Sequence, residues 1–185
     1  MLFLSVDVLL VKHLFDPASA GLFAATAITG KVIFYLTAPI GTVFLPVIAQ
    51  KHVRSESYLR ELLFALVLVT IPGVVTVIGY MLFPHLVVSV FFPKSGYESI
   101  ADYIVYYGVF MLFFSINVIF ANYYVAIPNR LFTHLFLIGS IAEIVGILLF
   151  HQTIQSVLFV LIGLSSIMCI VFAISFIPVY SRHEN

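Results

Sequence analysis

Charged residues and cysteines are both scarce in this chain of 185 residues. Asp, Glu, Lys and Arg make up 9% of the sequence, hydrophobic residues make up 63%, and the mean hydropathy is +1.20. A soluble globular domain carries about 25% charged residues, so these side chains cannot cover a water-soluble protein of this size. The net charge of zero argues against a nucleic-acid partner. With only one cysteine, Cys169, an intrachain disulfide is impossible.

Patterns that carry catalytic chemistry are also missing from the sequence. The histidines fall at predicted helix ends or in loops, and no nucleophile–base arrangement or acidic pair at catalytic spacing is present. The first residues have neither a basic region nor a small-residue cleavage site, so they do not form a secretory signal. The sequence therefore predicts a protein that is not an enzyme, with no catalytic residues, no metal ligands and no cofactor.

The hydrophobic residues are arranged in long runs. A helix needs about 20 apolar residues to cross roughly 30 Å of hydrocarbon. The runs predict an all-α, polytopic bundle of about six transmembrane helices, in a single domain over residues 1–185. The predicted spans are residues 1–15 (truncated), 20–50, 62–83, 103–127, 131–150 and 154–179.

Prolines predict interruptions of these spans. Span 20–50 is longer than a membrane is thick at about 1.5 Å per residue, and Pro39 and Pro46 predict a kink within it. Pro72 predicts a break in the third span. Residues 85–92 lie between two prolines and are too few to cross, so we expect a short interfacial helix there.

The loop charges predict the orientation of the bundle. Loops 51–61 and 128–130 and the C-terminal tail carry five basic residues, and the opposite side carries two. We therefore expect both loops and both termini to face the cytoplasm, in the inner (cell) membrane. With only six spans and so short a start, we also expect this chain to be the C-terminal half, or a fragment, of a larger protein.

Three ionisable residues, Asp7, Lys31 and Glu143, lie inside predicted spans. An unpaired charge there costs on the order of 3 kcal/mol by insertion scales. The helical rise places all three roughly 10 to 17 Å below the outer surface. We expect Lys31 to pair with Asp7 or with Glu143, and the three to line a polar cavity. The alternatives are an ion pair that only locks two helices, and a Glu143 that is neutral and capped by neighbouring groups.

Two asparagines, Asn117 and Asn122, lie in the fourth span and are further candidates for the cavity wall. Hydrogen bonds between helices are the favoured alternative for both, because amide side chains commonly join membrane helices.

Several stretches resemble the second lobe of polysaccharide flippases, which share a superfamily with multidrug and toxin extruders and lipid II flippases. The stretch from Asp7 to Gln50 matches through DVLLVKHLF, AGLFAATAITGK and FLPVIAQ. FFPKSGYESIADY and NYYVAIPNR are similar to an outer segment and a short cytoplasmic turn of that family. The resemblance covers nearly the whole chain, but family members carry twelve to fourteen helices. The Gly-rich element before their twelfth helix is replaced here by HQTIQ.

The resemblance implies that this chain is one lobe and that it faces a missing N-terminal lobe across a cavity. The missing lobe would come from the same gene or from a separate chain. It implies translocation of a polyprenyl-diphosphate-linked saccharide by alternating access in polysaccharide biosynthesis, with Lys31 attracting the diphosphate. Besides the lipid bilayer, the expected partners are this lipid-linked saccharide and the missing lobe. Two alternatives stay open: a cation-coupled multidrug extruder in which Asp7 or Glu143 carries the ion, and a non-transporting membrane scaffold subunit.

Overall fold

The structure, a computed structural model, describes residues 4–54, 56–93, 96–127 and 130–181. These residues form eight α-helices, one 3-10 helix and no strand. In chain order the elements are α1 (Val6–Leu14), α2 (Pro17–Gly30), α3 (Val32–Val53), α4 (Leu59–Leu82), α5 (Pro84–Phe91), the 3-10 helix (Glu98–Asp102), α6 (Ile104–Ala126), α7 (Arg130–Leu149) and α8 (Ile154–Ser181). The predicted all-α class is confirmed.

Four of these helices are long and apolar enough to cross a membrane: α3, α4, α6 and the Ile154–Phe176 part of α8. Within α7, residues His134–Leu149 form a shorter apolar segment, and α1 and α2 are shorter still. The chain is therefore a multi-pass helical membrane bundle. The membrane in which it resides and the side that its termini face stay predictions.

Helix α6 occupies the centre of the bundle. It packs against α2, α3, α4 and α8, and half of its apolar window is buried, against about a quarter for the other three candidate spans. Helices that are apolar all round are stable only when neighbours or lipid cover them. Residues such as Val43 of α3 and Phe64 of α4 point away from the bundle and are about two-thirds exposed, as lipid-facing side chains are.

The expected single helix over 20–50 is two helices, and the interruption lies at Lys31 rather than at a proline. The carbonyl oxygen of Thr29 accepts a hydrogen bond from the Tyr80 hydroxyl at 2.8 Å. A side chain that bonds to a backbone carbonyl interrupts the regular pattern of helical hydrogen bonds, so it favours the end of the helix at this point. By contrast, α3 continues through Pro39 and Pro46.

The break expected at Pro72 is also wrong, because α4 runs through it without interruption. The Thr76 hydroxyl donates a hydrogen bond to the Pro72 carbonyl oxygen at 2.8 Å, and the Thr42 hydroxyl does the same for Pro39 at 2.7 Å. These bonds do not reach the carbonyl oxygens that the prolines free, which lie four residues earlier. Packing of α3 and α4 against each other and against α6 supports the two helices at their prolines.

The connection between α1 and α2 is a capped turn. Oδ2 of Asp16 accepts hydrogen bonds from the backbone N–H groups of Ala18 and Ser19, both at 3.0 Å, and Pro17 begins the helix. Hydrogen bonding by Ser19 is the main reason that the pKa of the Asp16 carboxyl lies below its ordinary value. Farther along the chain, α5 is the short helix that was predicted between the two prolines.

Candidate functional site

The candidate site is built around Asp7, which lies in the first turn of α1 and is 2% exposed. Helix α1 packs against α2 and α7, so the carboxyl group is enclosed by the bundle. Its Oδ2 accepts a hydrogen bond from the hydroxyl group of Tyr107 on α6. Its Oδ1 is buried and has no hydrogen-bond partner among the described residues. One carboxylate oxygen thus accepts a hydrogen bond, and the other has no donor among the described residues.

Close packing holds Tyr107 in place, since its side chain has no exposed surface. Its ring makes edge-to-face contacts with Phe23 at 5.8 Å and with Phe110 at 5.4 Å between ring centres. A Cβ atom added at Gly30 would lie 3.1 Å from Cγ of Tyr107. Glycine at position 30 therefore lets the end of α2 pack closely against the Tyr107 ring. This packing holds the ring where its hydroxyl group reaches Asp7.

Lys31, at the junction of α2 and α3, is 8% exposed. It lies within electrostatic range of Asp7, but the direct ion pair that the sequence predicts, with Asp7 or with Glu143, is not formed. In the described ranges, the ion pairs within 4.0 Å are Lys51–Glu61 and Arg54–Glu56. The Tyr107 hydroxyl occupies the position on Asp7 that the sequence assigned to an ammonium group.

Glu143 of α7 is also within electrostatic range of Asp7 and of Tyr107. It lines a cavity of about 50 Å³ between α6, α7 and α8, together with Asn117, Ser140 and Ser165. The wall of this cavity includes neither Asp7 nor Lys31, so the three predicted ionisable residues do not share it. A cavity of this size has room for a few water molecules and is far below the size of most ligand pockets, which begin at about 300 Å³.

The two asparagines join helices, as their favoured alternative predicted. Nδ2 of Asn117 donates a hydrogen bond to the Ser165 carbonyl oxygen of α8 at 2.9 Å. Nδ2 of Asn122 donates to the Gly41 carbonyl oxygen of α3 at 3.2 Å. Asn117 also lines the cavity with Glu143, and its Oδ1 is buried without a hydrogen-bond partner in the described part of the chain.

Sequence reasoning did not assign Tyr107, Tyr80 or Gly30 to the site. The sequence places Tyr107 in a cluster of tyrosines, where residues that sit at the membrane interface and residues buried in the core look alike. A tyrosine beside a glycine, as in Tyr107-Gly108, near the start of an apolar span was the only local signal available. Nothing in the linear pattern joins this position to residues 7 and 30.

The arrangement places two carboxyl groups, one ammonium group and one phenol near each other in an apolar bundle. Such a set can attract an anion or exchange a cation, because charges interact strongly where water is excluded. Among the described residues, no group of three or more His, Cys, Asp or Glu side chains is arranged to hold a metal ion.

No known protein family, curated protein or solved structure matches the chain. The membrane fold and the polar cluster of Asp7, Lys31, Tyr107 and Glu143 are therefore the features that bear on function.

Proposed function

We propose that this chain is one lobe of a membrane flippase that translocates a polyprenyl-diphosphate-linked saccharide by alternating access. The observation that carries the proposal is the burial of Lys31, an ammonium group inside an apolar bundle with no direct ion-pair partner among the described residues. Intramembrane charges are costly and mark pathways for substrates or ions. When the two lobes rock apart and expose the junction of α2 and α3, the Lys31 ammonium group would attract the diphosphate of the carrier lipid.

The size of the internal cavity constrains how such a lobe would work. A volume of about 50 Å³ cannot hold a saccharide, so the substrate would bind on a face of the lobe, against a second lobe. No bond is made or broken in this mechanism. Helix α6 would form the rigid centre, since it packs against four other α-helices, and the second lobe would move relative to it.

A cation-coupled extruder lobe is the second candidate, and a separate observation favours it. Oδ1 of Asp7 is buried without a hydrogen-bond partner in the described ranges, and the carboxyl group of Glu143 lies nearby. A free carboxylate oxygen in a membrane interior is suited to bind a proton or a monovalent cation. In this case the substrate would be a cationic drug, and Lys31 would tune the charge of Asp7.

The two candidates are separated by deleting the gene in its own host and restoring the full chain or a variant. For a flippase, deletion causes lipid-linked saccharide to accumulate in the cytoplasmic leaflet. Wild type and Lys31→Arg reverse this, whereas Lys31→Ala at equal abundance in the membrane does not. For an extruder, deletion instead raises sensitivity to cationic drugs, and Asp7→Asn fails to restore resistance. If deletion changes neither readout, both transport proposals are overturned in favour of a scaffold subunit.

A further inference from the structure

A groove runs along the side of the bundle between the second half of α3 and the first half of α4. Its volume is about 480 Å³, within the range of about 300 to 1,000 Å³ typical of ligand sites. Val43 and Val47 of α3 and Phe64 and Leu68 of α4 line it, and Glu61 lies at one end. The wall residues Val43 and Phe64 are about two-thirds exposed, so the groove opens toward the surroundings of the bundle.

Both walls of the groove continue into arginines at the same end. On α3, Lys51 follows Val47 by four residues, and Arg54, the first residue after the helix, follows Lys51 by three. On α4, the residue four positions before Phe64 is Arg60. Residues three and four apart lie on one face of a helix, so both walls lead at this end to an exposed arginine, Arg54 just after α3 and Arg60 in the first turn of α4.

The nearby acidic residues do not cancel this positive charge. Nζ of Lys51 lies 2.6 Å from Oε1 of Glu61 and donates a second hydrogen bond to the Ser57 carbonyl oxygen at 3.3 Å. Lys51 and Glu61 therefore neutralise each other. Arg54 is 3.9 Å from Glu56, with both side chains about half exposed. At this distance in water the attraction is weak. Arg60 is exposed and lies within electrostatic range of Glu61, whose direct partner is Lys51, so both arginines remain open to an anion.

We propose that this groove binds an acyl chain of an anionic phospholipid, with the phosphate held between Arg54 and Arg60. An apolar trough that ends in two cations has the amphipathic pattern of such a lipid. A second copy of the chain fits less well, because a symmetric contact through this face would bring the same arginines together. The inference does not depend on the proposed transport function.

The charge preference is tested with the purified full chain by native mass spectrometry against phosphatidylglycerol and phosphatidylcholine with identical acyl chains. We expect phosphatidylglycerol to bind more tightly, by about fivefold for each arginine. The double variant Arg54→Gln/Arg60→Gln removes the preference. Lys12→Gln, which removes a cation outside the groove, retains it. Equal binding of the two lipids to wild type, or a preference that survives in the double variant, overturns the proposal.

The role of the groove is tested by filling it. Val43→Phe replaces a small side chain on the exposed groove wall with a bulky aromatic ring. We expect it to weaken binding of both lipids at this site. Val75→Phe is the matched control, because Val75 is 62% exposed on α4 and lies outside the groove. If Val43→Phe leaves binding unchanged, the lipid contacts only the arginines and the groove proposal is wrong. If it instead dissociates a dimer, a second copy is the occupant and the proposal is equally overturned.

Discussion

The hydroxyl group of Tyr107 on α6 donates a hydrogen bond to Oδ2 of Asp7 on α1, across 100 positions of sequence. Both side chains are buried. A buried carboxyl group without a hydrogen-bond partner destabilises a fold, so this contact allows α1 to pack with Asp7 turned inward. It also ties the first helix of the chain to the central one.

Removing the Tyr107 hydroxyl should destabilise the bundle. In Tyr107→Phe, Oδ2 of Asp7 loses its donor while the ring contacts with Phe23 and Phe110 remain. The expected loss in the free energy of unfolding is about 1 to 3 kcal/mol, typical of a buried polar group left unsatisfied. Denaturant unfolding in detergent measures it. Tyr106→Phe, one position earlier on α6, is the control and should change stability by less than about 0.5 kcal/mol.

Neutralising Asp7 and Lys31 separately should harm the protein more than neutralising both. Asp7→Asn leaves the ammonium group without a counter-charge, and Lys31→Gln does the same to the carboxyl group. We expect a coupling free energy of about 0.5 to 3 kcal/mol, the range for interacting residues. A double-mutant cycle measured by unfolding in detergent gives this value. Additive single effects would show that the two charges are independent.

Substitutions of two glycines in α2 should have opposite outcomes. Gly30→Ala places a methyl group against the Tyr107 ring, and overpacking of this kind costs about 1 to 3 kcal/mol. At Gly21 no atom lies within 4 Å of an added Cβ, so Gly21→Ala should be neutral or stabilise α2 by up to about 1 kcal/mol. Thermal unfolding of the two variants compares them directly. Equal effects would mean that Tyr107 is not held against Gly30.

Loss of the Asn117 amide should weaken the contact between α6 and α8. Asn117→Ala removes the hydrogen bond to the Ser165 carbonyl oxygen, and such bonds between membrane helices contribute about 0.6 kcal/mol on average and at most about 1.7. Ser166→Ala on α8 is the control, because its hydroxyl bonds only to Gly163 within the same helix. The expected order of stability is wild type, then Ser166→Ala, then Asn117→Ala. The reverse order for the two variants would contradict the assignment.

The Asp16 cap should make the start of α2 sensitive to acid. Because the folded-state pKa of Asp16 is lowered, its contribution to stability is complete above the ordinary aspartate pKa of about 3.9. It is lost as the pH falls through the lower folded-state value. Asp16→Ala should lower Tm at pH 7 and flatten its acid dependence. Asp16→Asn, which keeps an accepting oxygen, should retain Tm at pH 7. An unchanged Tm in Asp16→Ala would show that the cap does not stabilise α2.

Most helix positions follow from the sequence alone, because hydrophobic length is a local property. The predicted span 103–127 corresponds to Ile104–Ala126, and 131–150 corresponds to Arg130–Leu149. The scarcity of charge likewise identifies a membrane protein, because composition does not depend on which residues come into contact. Local rules were insufficient at Pro72, where packing against neighbouring helices keeps α4 continuous.

The sequence also identified which polar residues lie inside the bundle, since an ionisable side chain in an apolar run is visible by inspection. It could not identify their contacts. Whether Asp7 meets Lys31 or Tyr107 depends on which faces of α1, α2 and α6 turn toward each other, and that is decided by packing between residues distant in sequence. The absence of a side chain at Gly30 lets α2 approach the Tyr107 ring, so tertiary structure put a phenol where charge alone had predicted an ammonium group.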